Sequence, residues 1–274
     1  MDGPLVAECL RVRPHPALGG LVLGYSGYRE FSAAPVRRRQ APTGSCTLIL
    51  SLGPPIRLFG PAGPTAPGSF LAGMHDAAVV TEFRGVQHGV QVDLTPLGVF
   101  TLLGRPMPDL TNAAPRVDEL DVPGLAALPD RFADDAGWAA RFARVDVVLR
   151  RLLDDSRVRP DPEVAWAWHR LQATAGSVGV QTLADGTGWS RRHLLNRFRT
   201  QVGLAPKAAA RVLRFSRAAG LLVPGPPIGG PGTAVARPLA DVAAACGYAD
   251  HAHLVREFRA LAGCTPTEYR HAPS

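Results

Sequence analysis

The sequence predicts an α+β protein of two domains, a β-rich barrel with some helices over residues 1–157 and an all-α unit over residues 158–274. Three observations predict it. The chain has 274 residues, more than one core of ordinary size fills. Short β-prone runs broken by Gly and Pro occupy the first hundred residues, and apolar residues at helical spacing dominate the remainder. Positive charge is confined to one end: residues 178–274 hold 12 Lys+Arg against 5 Asp+Glu, whereas residues 1–177 hold 18 of each. A basic unit joined to a neutral one is the layout expected when only one of them meets a polyanion.

Composition excludes several classes. At 46% hydrophobic and 19% charged residues the chain is neither disordered nor fibrous. It has no run of eighteen apolar residues, and Met1–Leu10 carries Asp2 and Glu8 in place of a basic flank, so a membrane span and a signal peptide are not expected. The cytoplasm is the expected compartment. Cys9, Cys46, Cys246 and Cys264 lie far apart with no CxxC pair, which argues against a disulfide framework and a structural zinc site.

The β-prone runs are Leu21–Tyr28, Thr47–Leu52, Ile56–Phe59, Ala77–Phe83 and Gly89–Leu94, with Gly60–Gly68 (GPAGPTAPG) read as a loop. Thr95 and Pro96 then read as the N-cap and first residue of a helix. A longer helix follows, with Trp138, Phe142, Val145, Leu149 and Leu152 along one stripe. The charged segment Asp154–Pro160 marks the domain boundary, and Asp161, Pro162 and Glu163 open the next helix.

Two segments of the last third resemble each other. Phe198, Arg199, Gly203 and Pro206 recur as Phe258, Arg259, Gly263 and Pro266 at an offset of sixty, while Leu183, Ala184 and Gly188 recur as Val242, Ala243 and Gly247 at fifty-nine. Each copy has the parts of a helix-turn-helix. A short apolar helix ends at Gly188 or Gly247, an aromatic follows (Trp189 or Tyr248), and Ser190 or Asp250 caps a second helix. Leu194, Phe198 and Val202 form the buried row of that helix, matched by Leu254, Phe258 and Ala262. The outward faces are then Arg191, Arg192, Leu195, Asn196 and Arg199 in one copy, and His251, Ala252, Val255, Arg256 and Arg259 in the other. Arg suits guanine, Asn suits adenine and apolar groups suit the thymine methyl, so these faces have the chemistry of major-groove readers. Thr265-Pro266-Thr267-Glu268 is a capping box for a closing helix. A connecting helix from Pro206 presents Val212, Phe215, Ala219 and Leu222 on one side and must stop at Pro224.

From Gly247 through Tyr248, His253, Leu254, Phe258, Gly263 and Pro266 to Tyr269 and Arg270, the chain resembles the AraC/XylS family of transcription activators, over roughly residues 160–271. The resemblance implies two helix-turn-helix units on double-stranded DNA, a first domain of the cupin-like barrel kind that binds a small effector or forms a homodimer, and contact with RNA polymerase. No cofactor is implied. Two features depart from the family. The segment Val223–Ala236 (VPGPPIGGPGTAVA) is longer and richer in Gly and Pro than the usual link, which bears on how firmly the two units are set. Gly186 weakens its helix by roughly 1 kcal/mol relative to Ala.

The competing classes are a cupin-type enzyme and an architectural DNA-binding protein. The N-terminal half has His15, His75 and His88 with no HxH followed by a spaced Glu, so neither catalysis nor a metal is expected there. His251 and His253, at i and i+2, fall on different faces of a helix and suit no metal either.

Overall fold

The computed structural model describes residues 6–60, 63–122, 124–223 and 237–271. Seven strands form one antiparallel sheet: β1 (Val6–Val12), β2 (Val22–Gln40), β3 (Cys46–Ser51), β4 (Arg57–Gly60), β5 (Gly63–Thr65), β6 (Phe70–Ala72) and β7 (Val79–Leu94). Their order is β1-β2-β7-β3-β6, with β4 on the outer end of β7 and β5 beyond it. Among the described residues no ladder joins β1 to β6, so the sheet is open along that line.

The strands differ in detail from the sequence reading. Ala77–Phe83 and Gly89–Leu94 belong to one strand, β7, and the run from Leu21 continues to Gln40 as β2. The predicted loop Gly60–Gly68 contains β5, which folds back on β4. β2 accommodates Pro35 because the register slips between Ser32 and Val36, opposite Gly85 at φ +81°. A proline there removes no ladder donor. This bulge bends the sheet and brings Arg38 onto Glu30, with two bonds of 2.7 Å.

The two faces of the sheet have separate uses. Tyr25, Leu48, Leu50, Val90 and Val92 are buried on the face covered by α3 (Trp138–Asp155). There the Tyr25 ring stacks on Phe142 at 5.9 Å and its hydroxyl donates to Asp146 at 2.7 Å. Trp138 presses so closely that a Cβ on Gly27 would lie 2.5 Å from its ring. The other face lines a cavity of about 830 Å³. α1 (Pro96–Leu103) packs against α3, and α2 (Leu128–Arg131) packs against β3. Thr95 caps α1 as predicted, accepting from the Gly98 amide at 2.9 Å.

Among the described residues that follow there are seven helices: α4 (Pro162–Ala173), α5 (Val180–Thr187), α6 (Arg191–Val202), α7 (Pro206–Leu222), α8 (Leu239–Ala245), α9 (His251–Ala262) and α10 (Pro266–His271). They bury a row of large side chains. Trp168 of α4 meets Phe198 of α6 at 6.4 Å, and Phe215 of α7 meets Phe258 of α9 at 4.7 Å and Tyr269 of α10 at 6.0 Å. Phe-to-Ala changes at such positions typically cost about 3–5 kcal/mol.

The helical part also touches the sheet-bearing part. The Thr111 hydroxyl donates to the Gly203 carbonyl at 3.0 Å. Gly44, at φ +81°, packs on α7 so closely that a Cβ would lie 2.7 Å from Leu213 Cδ2. Among the described residues no helix is long and apolar enough to cross a membrane.

Candidate nucleic-acid interface

Each of the two repeated segments folds as helix, tight turn, helix. α5 ends at Gly188 and α8 leads to Gly247, both at φ +70°, a left-handed conformation that glycine adopts at little cost. Ser190 accepts a hydrogen bond from the His193 amide at 3.2 Å, and Asp250 accepts one from the His253 amide at 2.6 Å, so the same cap starts α6 and α9. Leu194, Phe198 and Val202 are fully buried, as are Leu254, Phe258 and Ala262. Pro266 follows Thr265, whose hydroxyl accepts from the Glu268 amide while Glu268 accepts from the Thr265 amide at 2.7 Å. The capping box holds that carboxyl below its ordinary range.

The outward faces follow from this phase. Ser190, Arg191, Arg192, Leu195, Asn196 and Arg199 are exposed on one unit, and Asp250, His251, Ala252, Arg256 and Arg259 on the other, with Val255 half-buried. Among the described residues no ion pair engages Arg191, Arg192, Arg199, Arg256 or Arg259. Arg197, one step off the face, is different. Its guanidinium makes two bonds to Asp161, at 2.7 and 2.8 Å. Asp161 also accepts from Gln201 at 2.7 Å, and its amide donates to Gln201 at 2.9 Å. The side chain expected to cap α4 thus makes no capping bond and ties α4 to α6 instead. Arg197, followed by Gln201, holds its carboxyl below the usual range.

One device repeats that the sequence reading passed over. Trp189 meets the ring of His193 edge-on at 4.4 Å, and Tyr248 meets His253 in the same way at 5.2 Å. The two histidines stand sixty residues apart, at the offset of the phenylalanines. The aromatic after each turn glycine therefore braces the first turn of each outward-facing helix.

α7 joins the two units. Arg214 donates to the carbonyl of Gly176, beside α5, at 3.0 Å and lies over the ring of Tyr248, 5.8 Å from its centre. Arg211 makes a forked pair with Glu257 of α9 at 3.0 Å. Gly176 is confined by this packing, since a Cβ would lie 2.0 Å from the Ala210 carbonyl oxygen. The Gly/Pro-rich segment was expected to loosen the two units, and residues 224–236 of it lie outside the described residues. The contacts that set one unit against the other are made upstream of it, on α7. Gly186 has a packing reason as well, because a Cβ there would lie 2.2 Å from the indole of Trp166.

Residues 183–272 match a family model described as "Helix-turn-helix domain". This region, about a third of the chain, is a helix-turn-helix domain. No curated protein matches the sequence. Among solved structures, ToxT from Vibrio cholerae is similar over 97% of this chain and 97% of its own, at 9% identity and a TM-score of 0.49. The C-terminal domain of AraT, a response regulator from Geobacillus stearothermophilus, is similar over 41% of this chain and 87% of its own, at 20% identity and a TM-score of 0.35. The AraC-like transcriptional activator CuxR is similar over 74% of this chain and 84% of its own, at 13% identity and a TM-score of 0.32. The assignment of the helix-turn-helix domain rests on the family match and on the paired geometry of its two units.

Proposed function

We propose that the chain regulates transcription in the cytoplasm by placing α6 and α9 in two successive major-groove segments on one side of the DNA. The observation that carries this reading is the pair of exposed faces in equivalent phase, rich in arginines without ion pairs, and both braced on α7. In this reading Leu195, Asn196, Val255 and Arg256, with Arg191, Arg192, His251 and Ala252 at the helix starts, meet base edges. Arg199, Arg259 and the caps Ser190 and Asp250 meet the phosphate backbone. Residues 158–274 are the DNA-binding part. Residues 1–157 sense a small effector in the 830 Å³ cavity on the free face of the sheet and support a homodimer. Activation proceeds through contact with RNA polymerase.

Selection of bound sites from random DNA by the full chain, followed by footprinting, tests this reading. Two protected segments per protomer, about 34 Å apart, are expected. Affinity for the selected site should exceed that for random DNA by about a thousandfold or more. Equal affinity for both would make the protein an architectural binder, and a single protected segment would remove one of the two readers.

A further inference from the structure

The lining of the cavity on the free face of the sheet combines two chemistries. Ile49, Leu58, Phe70 and Phe83 are its apolar part, and the last three are buried. Asp93 of β7 lines the same cavity. Its Oδ1 accepts from Gln91 at 2.8 Å and from Thr47 at 3.5 Å, both neutral donors. Among the described residues Oδ2 accepts from no protein group, and no ion pair engages this carboxylate.

The other charged groups around the cavity do not supply its counter-charge. Arg38 is committed to Glu30 through both terminal nitrogens. Arg11 is exposed on β1, two strands and about 10 Å from the column of β7. Burial pushes the His75 imidazole below its ordinary value, which disfavours its charged form. A half-buried carboxylate with one oxygen unused creates a demand for a charged hydrogen-bond donor. Farther along the same face the Tyr28 hydroxyl makes no hydrogen bond among the described residues and lies over Gly89, where a Cβ would be 3.0 Å from it. Residues 89 and 93 are about 13 Å apart along β7.

We propose that this cavity takes a small amphipathic amine, with its ammonium group on Asp93 and its apolar body along Ile49, Phe70, Leu58 and Phe83. A second hydrogen-bonding group about 10–13 Å from the nitrogen would reach Tyr28. The proposal rests on the reading of the sheet as an effector-binding unit and supplies the chemistry of that effector.

The test uses the full chain and two isosteric series: hexylamine, hexanol and hexanoate, and 2-phenylethylamine, 2-phenylethanol and phenylacetate. Binding is read by calorimetry and by the shift in melting temperature. The amines are expected to bind and to raise the melting temperature, with the alcohols and carboxylates at least about tenfold weaker, as loss of a charge-assisted bond predicts. Asp93→Asn should erase the amine preference and leave the unliganded melting temperature within a few degrees. Tighter binding of the carboxylates or alcohols overturns the proposal, as does failure of every amine to bind. Retention of the preference in Asp93→Asn also overturns it, and the isostere comparison on the unaltered chain decides should that variant not fold. A parallel titration on the selected DNA site separates the two readings. Amine binding without change in DNA affinity supports the ligand class and removes the effector role, whereas a carboxylate that binds and changes DNA affinity does the reverse.

Discussion

Gly186 lies beneath Trp166, and a Cβ at Gly186 would sit 2.2 Å from the tip of the indole. The glycine that lowers helix propensity in α5 therefore makes room for a ring from α4, one that remains 41% exposed. Alanine at 186 should gain about 1 kcal/mol of propensity only where the ring is absent. Gly186→Ala is expected to stabilise a Trp166→Ala background by about that amount and to stabilise the unaltered chain less, or not at all. Denaturant melts of the four proteins measure the coupling, and equal effects in both backgrounds would show that the contact carries no energy.

Arg256 and Arg259 separate reading from gripping. Arg256 lies midway between the buried Leu254 and Phe258, on the face opposite them, whereas Arg259 lies one step past Phe258. Arg256→Ala should cost about 1–3 kcal/mol on the selected site and relax preference at one base pair. Arg259→Ala should weaken all sequences alike and reduce the salt slope by about one unit. Titrations on single-base variants at several salt concentrations check both, and a uniform loss in Arg256→Ala would refute its placement in the groove.

Asp161 gives the helical part of the chain a pH dependence of known sign. Its folded carboxyl is held below the unfolded value by Arg197 and Gln201. The stability it contributes is therefore present above the unfolded value near pH 4 and is lost as pH falls through the folded one. The pair is partly exposed, so the contribution is about 1 kcal/mol. Asp161→Asn should lower the melting temperature at pH 7, and the difference from the unaltered chain should narrow towards pH 3. A difference independent of pH would assign the effect to something other than this carboxylate.

Arg214 spans the two units through Gly176 and Tyr248. Arg214→Met, which keeps bulk and removes both bridges, should reduce discrimination among operators whose half-sites are moved apart or together by one or two base pairs. Binding to the best-spaced operator should fall less than discrimination does. Unchanged spacing preference would show that the packing around Phe215 alone fixes the units.

The helical third was legible because its information is local and repeated. Caps, turn glycines and buried rows recur at a fixed offset, and each names its own position. The histidines at 193 and 253 obey the same offset, but their partners are ring faces, which one-dimensional spacing does not reveal. The sheet was less legible. β7 reads as two runs because Arg84 and Gly85 interrupt its alternation at the bulge, where pairing with β2 decides the structure. β1 carries Glu8 and Arg11 at an exposed edge, and β5 and β6 are three-residue strands whose only cause is the neighbouring ladder. The surroundings of Asp93 were invisible for a related reason. Gln91 is its neighbour along β7, but Thr47 reaches it from β3, and the register that joins Thr47 to Asp93 is a tertiary fact.

In the proposed function, where an occupant of the cavity controls DNA binding, Gly44 gives the chain a built-in reciprocity. Its neighbours Pro42, Thr43 and Ser45 border the cavity, and Gly44 itself rests on Leu213 of the helix that carries both DNA-facing units. A molecule that shifts this loop must shift the seat of α7, and the energy of that shift is shared between the two sites. By linkage, whatever factor the cavity's occupant imposes on affinity for DNA, DNA imposes on affinity for the occupant. The occupant's apparent dissociation constant then depends on how much operator is present, and a measurement on the free protein reports one limit of a coupled equilibrium.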